Sequence, residues 1–264
     1  MQQSVGFSKK YGAWALVTGS SAGIGKEFAR QLAARGLNLA LVARRGDLLR
    51  DLAAELESTY AIQTRVIPCD LSQTNFLEEI SSACVDLEIG LLVNNAGAPS
   101  FHGRFLSRSI AEMEQTLHFS IHVQLHLIRH FAAAMAQRRR GGIVQVSSIS
   151  GNLSMPFMAE YSASKGYQLQ LGESLHYELK DYGIDVIVLS PGATHSERIN
   201  FGMQPEPVVA AALDNLGRLP SVIPGWRNQW SAFKRRHFNS RKQVVQAMGD
   251  FQRGRLQPPH DIIE

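Results

Sequence analysis

Short, mostly apolar runs alternate along this chain with longer stretches in which apolar positions recur every three or four residues. Runs at 14–18, 37–43, 65–67, 91–94, 142–146 and 184–190 are too short for amphipathic helices, and they predict buried strands. The helical spacing between them predicts helices over 27–35, 48–57, 75–84 and 109–138, a fifth from Tyr161 to about 182, and a sixth over 205–216. Strands that alternate with helices in this way imply an α/β fold, a parallel sheet covered on both faces. No repeat or low-complexity linker interrupts the pattern, so 1–264 reads as one domain.

The character changes after residue 196. Residues 220–224 form a short apolar segment, and 226–247 interleaves Trp226, Trp230, Phe233 and Phe238 with Arg227, Lys234, Arg235, Arg236, Arg241 and Lys242. Such a segment either walls a substrate cleft, its aromatics turned inward and its bases solvated, or lies on an anionic membrane surface. The cleft wall is the expectation, with peripheral membrane contact as the alternative.

Composition narrows the class. Hydrophobic residues make up 44% and charged residues 19%, as in a globular chain. A formal net charge of +4 gives no reason to expect nucleic acid. No apolar run reaches the roughly 18 residues of a spanning helix, and the first ten residues lack the apolar centre of a signal peptide, so a cytoplasmic location is expected. Cys69 and Cys84 have neither CxxC spacing nor a histidine partner, which suggests reduced structural thiols.

Candidate chemistry gathers at three places. Between the first strand and the helix after it stand Gly19, Ser20, Ser21, Ala22, Gly23, Ile24 and Gly25. Glycines there permit a tight turn and the close approach of a pyrophosphate to the free N–H groups of a helix start, although a plain turn would use them too. Where the second strand ends, a carboxylate would bind the ribose of NAD. Ala43 stands there instead, followed by Arg44 and Arg45. Arginine forks match a 2′-phosphate, so NADP(H) is expected over NAD(H), with Arg44 ahead of Arg45; the bland alternative is a pair of solvated charges. Asp70 could accept from adenine or cap the following helix.

The third place is the pair Tyr161 and Lys165. Four residues apart on a helix, they share one face, which puts an ammonium beside a phenol. Free tyrosine has a pKa of about 10, too high to shuttle protons at neutral pH, and an adjacent positive charge is expected to lower it. Ser148, just after the 142–146 strand, could hold a substrate oxygen near Tyr161. His118, His122, His126 and His130 also recur at four-residue intervals. They span roughly 18 Å along a helix, so they are expected to serve packing or subunit contact, with no metal.

Together, Thr18 through Gly25, Asn94-Asn95-Ala96-Gly97, Ser148, Tyr161-Ser162-Ala163-Ser164-Lys165 and Pro191-Gly192 resemble the short-chain dehydrogenase/reductase (SDR) family, classical type, over about residues 11–196. The run from Lys10 to Gly19 is similar to its 17β-hydroxysteroid dehydrogenase/3-ketoacyl reductase branch. The resemblance implies a Rossmann-type, doubly wound, seven-stranded parallel sheet and a homodimer or homotetramer packed through two long helices. It implies that Tyr161 is the acid/base, Ser148 polarises the carbonyl, and Lys165 tunes Tyr161 and binds the nicotinamide ribose. It further implies that Gly19, Ser21, Gly23, Ile24, Gly25, Arg44, Leu71, Ala96, Gly97, Pro191 and Gly192 contact the cofactor. Asp70 would meet adenine, Asn95 would line the adenosine side, and Thr194 would sit near the carboxamide. Many members carry an asparagine, helping to hold a relay water, where counting back fifteen residues from Met135 lands on Ser120. Ser120 is therefore a fourth candidate catalytic residue and a departure from the family pattern.

The expected activity is NADPH-dependent reduction of a ketone or aldehyde to an alcohol. A catalytically weak NADP(H)-binding regulatory or scaffold protein is the alternative. The substrate stays open among a 3-oxoacyl chain, a steroid and a small carbonyl.

Overall fold

The computed structural model describes residues 4–97, 101–197 and 199–256. Its centre is a seven-stranded, all-parallel sheet: β1 (Trp14–Thr18), β2 (Asn38–Ala43), β3 (Thr64–Pro68), β4 (Ile89–Asn94), β5 (Gly141–Val146), β6 (Ile184–Leu189) and β7 (Ser221–Val222), in spatial order β3-β2-β1-β4-β5-β6-β7. The expected Rossmann-type fold is therefore present. β7 pairs with β6 through Val188–Ser221 and Leu189–Val222, so the apolar segment at 220–224 supplies the seventh strand.

Strand geometry explains the continuous apolar runs. Successive side chains point to opposite faces of a sheet, and here both faces are covered. Ala15, Val17, Leu39, Leu41, Leu91 and Val93 enter one core, whereas Leu16, Ala40, Val42 and Leu92 enter the other. The first core is completed by α2 (Gly23–Ala34), α3 (Gly46–Tyr60) and α8 (Pro205–Asn215), which follow α1 (Ser4–Tyr11) in the chain. The second is completed by α4 (Phe76–Ala83) and α6 (Val123–Arg138).

The long helix expected over 109–138 is interrupted. α5 (Ile110–Leu117), opened by a Ser109–Glu112 capping box, passes into a π-helical turn at His118–His122 before α6 begins. One residue inserted in a helix leaves the apolar spacing nearly unchanged, so periodicity alone does not reveal it. The Tyr161 helix, α7, runs Ala159–Glu178 and closes in a 3₁₀ turn at Leu179–Tyr182. The basic aromatic segment divides into α9 (Trp226–His237) and α10 (Arg241–Arg253).

β1 lies between β2 and β4, so the chain crosses from the middle of the sheet in both directions. A crevice at the carboxyl ends of the strands follows from that reversal, and the candidate residues come together there.

Candidate active site

The glycine turn joins β1 to α2 at one end of the crevice. Gly19 has φ +68 and Gly23 φ +55, backbone that L side chains rarely adopt. A Cβ on Gly25 would come within 2.2 Å of Gly19 O, so only glycine lets the helix approach the strand this closely. The first turn of α2 has no side-chain cap, which leaves its N–H groups to an anion. Thr18 and Asn95 lock the turn in place. Thr18 Oγ1 accepts from the Asn95 and Ala96 amides, each at 3.0 Å, and Asn95 Nδ2 donates to Thr18 O at 2.8 Å.

A cavity of about 850 Å³ runs from this turn past Gly19, Ser21, Ala43, Arg44, Arg45, Leu71, Asn95, Ala96 and Gly97. The two arginines do different work. Arg45 Nη1 pairs with Glu197 at 2.8 Å and Nη2 donates to Ser21 Oγ at 3.2 Å, tying the turn to the loop after β6. Arg44, exposed at the cavity wall, makes no hydrogen bond or ion pair among the described residues. Asp70 caps its own turn: its Oδ1 accepts from the Ser72 amide at 3.0 Å and hydroxyl at 2.9 Å, and those bonds hold its carboxyl below the usual range. Its neighbours Cys69 and Leu71 line the cavity.

A second cavity, about 350 Å³, shares Arg45, Asn95 and Gly97 with the first and ends on Ser148, Tyr161 and Lys165. Gly23, Ile24, Gly25, Pro191, Gly192 and Thr194 line it too. Ser148 ends the segment after β5, its hydroxyl accepting from the Ser150 amide at 3.2 Å. Ser147 Oγ donates to Lys165 O at 2.7 Å and so fixes α7 against β5. Thr194, buried, donates to Gly192 O at 3.1 Å and holds the loop in shape.

Lys165 Nζ lies 5.8 Å from the centre of the Tyr161 ring. Burial raises the Tyr161 phenol above its ordinary value, and the hydrogen bond with Ser148 pulls it back only in part. Burial also pushes the Lys165 ammonium down to about 8. The expected lowering of Tyr161 by Lys165 is not what burial gives: desolvation of the phenol dominates and raises it. A neutral phenol follows, the form able to donate a proton to a developing alkoxide.

Gln168, three residues beyond Lys165, was not among the candidates. Its Oε1 accepts from Lys165 Nζ at 2.9 Å, and its Nε2 donates to Ser120 O at 2.7 Å. Ser120 lies in the π turn. Such a turn shifts the helical bonding by one residue, and a main-chain carbonyl is left for an outside donor. The Ser120 hydroxyl is buried without a protein partner among the described residues, and Ser120 reaches Lys165 through its carbonyl and Gln168. Gln124, Gln145 and Asn94 extend the buried polar layer: Asn94 Nδ2 donates to Gln124 O at 3.0 Å and to Gln145 Oε1 at 3.1 Å, and Gln124 donates to Ala96 O.

The histidines divide as packing requires. His118 Nε2 contacts Leu71 O at 3.3 Å and its ring meets Phe76, whereas His122, His126 and His130 are exposed. Among the described residues no three metal ligands converge. The basic aromatic segment walls a separate cavity of about 730 Å³, where Phe233, Arg235, Arg236 and His237 face Asn152 and Leu153, but its aromatics are not turned into a core: Trp226, Trp230, Phe233 and Phe238 are all exposed.

These residues fit a nicotinamide dinucleotide, with a glycine-only turn, an uncapped helix start and two cavities that share a wall. The family model for short chain dehydrogenases matches residues 13–201. The chain belongs to that family, and it is an oxidoreductase of the CH–OH/C=O kind. It is similar to the 7beta-hydroxysteroid dehydrogenase of Collinsella aerofaciens, 30% identical over 259 residues, which cover 93% of this chain and 98% of that one. It is also similar to very-long-chain 3-oxoacyl-CoA reductase-A of Danio rerio, 34% identical over 236 residues, 83% of this chain and 74% of the relative. Among solved structures, one from work on 7beta-hydroxysteroid dehydrogenase stereoselectivity superimposes with a TM-score of 0.87 at 30% identity, covering 92% of this chain and 98% of that one. A short-chain dehydrogenase from Sphingobium yanoikuyae in complex with NADPH gives 0.75 at 28% identity, covering 84% and 92%. The resemblance drawn from the motifs, including its hydroxysteroid and ketoacyl branch, holds.

Proposed function

We propose that the protein is an NADP(H)-dependent oxidoreductase that reduces a bulky, amphipathic ketone to a secondary alcohol, with Tyr161 as the acid. The observation that carries this is the convergence of Ser148, Tyr161 and Lys165 on one cavity that the glycine turn also lines. A bound nicotinamide supplies the hydride that the carbonyl carbon accepts. Gly19, Ser21, Gly23, Ile24, Gly25, Asn95, Ala96, Gly97, Pro191, Gly192 and Thr194 would hold the dinucleotide along the two cavities. Ser148 orients the substrate oxygen, and the neutral Tyr161 phenol gives its proton to that oxygen as charge develops. Lys165, whose proton affinity burial has weakened, returns a proton to Tyr161, and Gln168 holds the Lys165 amine in reach.

Preference for NADP(H) rests on Ala43, which offers no carboxylate to a ribose, and on Arg44, which is left available while Arg45 is taken by Glu197. The substrate class follows from the relatives, whose names specify a hydroxysteroid and a long 3-oxoacyl thioester. We further place the protein in the cytoplasm as a homodimer or homotetramer; no described helix is long and apolar enough to cross a membrane.

The test is NADPH oxidation by the purified protein over a panel of steroid ketones, 3-oxoacyl thioesters and small aldehydes. Turnover of a bulky ketone, faster with NADPH than with NADH, is expected. Tight NADPH binding with no oxidation across the panel would contradict it and favour a regulatory binding protein.

A further inference from the structure

We propose that the outer face of α9, continued by the start of α10, docks on the surface of an anionic lipid bilayer. α9 buries none of its residues. Its domain side carries Asn228, Ser231 and Ala232, partly covered, and Asn228 Nδ2 anchors it by donating to Pro224 O at 2.9 Å. Trp226, Trp230, Phe233 and His237 recur at helical spacing on the opposite side. They form a continuous stripe: Trp230 and Phe233 stack with ring centres 5.8 Å apart, and Phe233 meets His237 at 4.5 Å. Phe238 extends it at the helix end, 6.0 Å from Phe233. Trp226 is 71% exposed, Trp230 59% and Phe238 70%, large apolar surface that nothing in the chain covers among the described residues.

Charge selects the occupant. At 100° per residue, Arg227 and Lys234 flank the aromatic stripe on one side and Arg236 on the other, and Arg241 and Lys242 follow at the start of α10. α9 contains no carboxylate. Aromatic rings centred between rows of cations match the boundary of a bilayer, where indoles sit at headgroup depth and long basic side chains reach anionic phosphates. A second copy seated symmetrically would set these cations against their own equivalents, which disfavours self-association through this face.

The position of the helices gives the contact a use. A Cβ on Gly192 would meet Asn228 Nδ2 at 3.0 Å, so α9 stands on the loop that lines the reacting end of the cleft. α10 stands on the other side, with Gln252 Nε2 3.2 Å from Met158 Sδ and Gly249 facing Pro156. The docking face is therefore built onto both loops that flank Tyr161, and an amphipathic ketone dissolved in the bilayer would be delivered beside its cleft. That use rests on the proposed reaction, whereas the docking does not.

Full-length protein is mixed with phosphatidylglycerol-containing vesicles and with phosphatidylcholine vesicles, and both sedimentation and tryptophan emission are read. Binding to the anionic vesicles alone is expected, with emission shifted to the blue and binding weakened at high ionic strength. Joint replacement Arg227→Gln, Lys234→Gln and Arg236→Gln removes three cations and should weaken binding by about 100-fold, roughly fivefold for each. Trp226→Ser with Trp230→Ser should weaken it independently, with turnover of a water-soluble ketone unchanged in both variants. No sedimentation with anionic vesicles, or equal binding by the triple glutamine variant, would overturn the proposal. So would a change of oligomeric state in the serine variant, which would assign the face to a second copy. Because vesicle binding is read without turnover, failure of the proposed reaction would leave this result standing.

Discussion

The crevice around Lys165 and the helices α9 and α10 dispose of polar and aromatic groups in opposite ways. In the crevice, Asn94, Gln124, Gln145, Lys165 and Gln168, from two strands and two helices, are all buried, Asn94 bonded to Gln124 and Gln145, and Lys165 to Gln168. On α9, bulky aromatic rings stand in solvent beside cations that make no ion pair among the described residues. Buried polar groups are costly unless every partner is in place, so the crevice is a site built for one arrangement of atoms. Exposed aromatics among cations are built for contact with a surface. The family model spans residues 13–201, which hold the crevice, and α9 and α10 lie after it.

Substitutions in the crevice should break chemistry without releasing the fold. Tyr161→Phe is expected to have the largest effect, lowering kcat by about a thousandfold while NADPH binding, followed by fluorescence titration, stays within a few-fold of wild type. Gln168→Leu should lower kcat by about 30-fold, because the Lys165 ammonium loses a charge-assisted partner in a dry site. Gln168→Glu keeps an acceptor for Lys165 and adds a negative charge. It should recover part of the rate and move the kcat–pH profile to higher pH, a displacement that loss of packing alone would not produce. Arg44→Ala should narrow the preference for NADPH over NADH by about tenfold, measured as a ratio of kcat/KM values, with Arg45 still held by Glu197.

A smaller effect tests the burial of Lys165 itself. Its ammonium is held at about 8 in the folded protein against an ordinary value of 10.5, so between those values the unfolded chain binds the additional proton. Stability should therefore rise with pH across this window, as the cost of burying a charge disappears. Relative to Lys165→Met, wild type is expected to gain about 1–2 kcal/mol between pH 8 and about 9.5, measured by urea unfolding. A flat difference would mean that Lys165 is well solvated by neighbours not seen around its amine.

The shared part of the chain was largely legible before its structure, because period-two burial on both faces and fixed motif spacings survive in one dimension. β1, β2, β4, β5 and β6, the glycine turn, Ser148, Tyr161 and Lys165 all fall where pattern and spacing put them. β7 has only two residues, too few for any periodicity to register. The π turn inserts one residue in a helix, and His118 and His122 remain four apart in number whichever ladder they follow. Gln168 belongs to no motif. Its signal was that Ser164, Lys165 and Gln168 make the buried face of α7 polar where a core would be apolar, and a polar buried face demands partners. Charge proximity can be counted from spacing, whereas the desolvation that raises the phenol depends on what the rest of the chain packs around Tyr161.

The most direct test of the central claim, that Tyr161 hands a proton to a carbonyl oxygen beside the nicotinamide, is a structure of the protein with NADPH and a slowly reacting ketone. The account requires the ketone oxygen within hydrogen-bond reach, about 3 Å, of both the Tyr161 hydroxyl and Ser148 Oγ, with Lys165 still bonded to Gln168. A ketone seated elsewhere in the cleft, or a Tyr161 hydroxyl turned away from the nicotinamide, would contradict it.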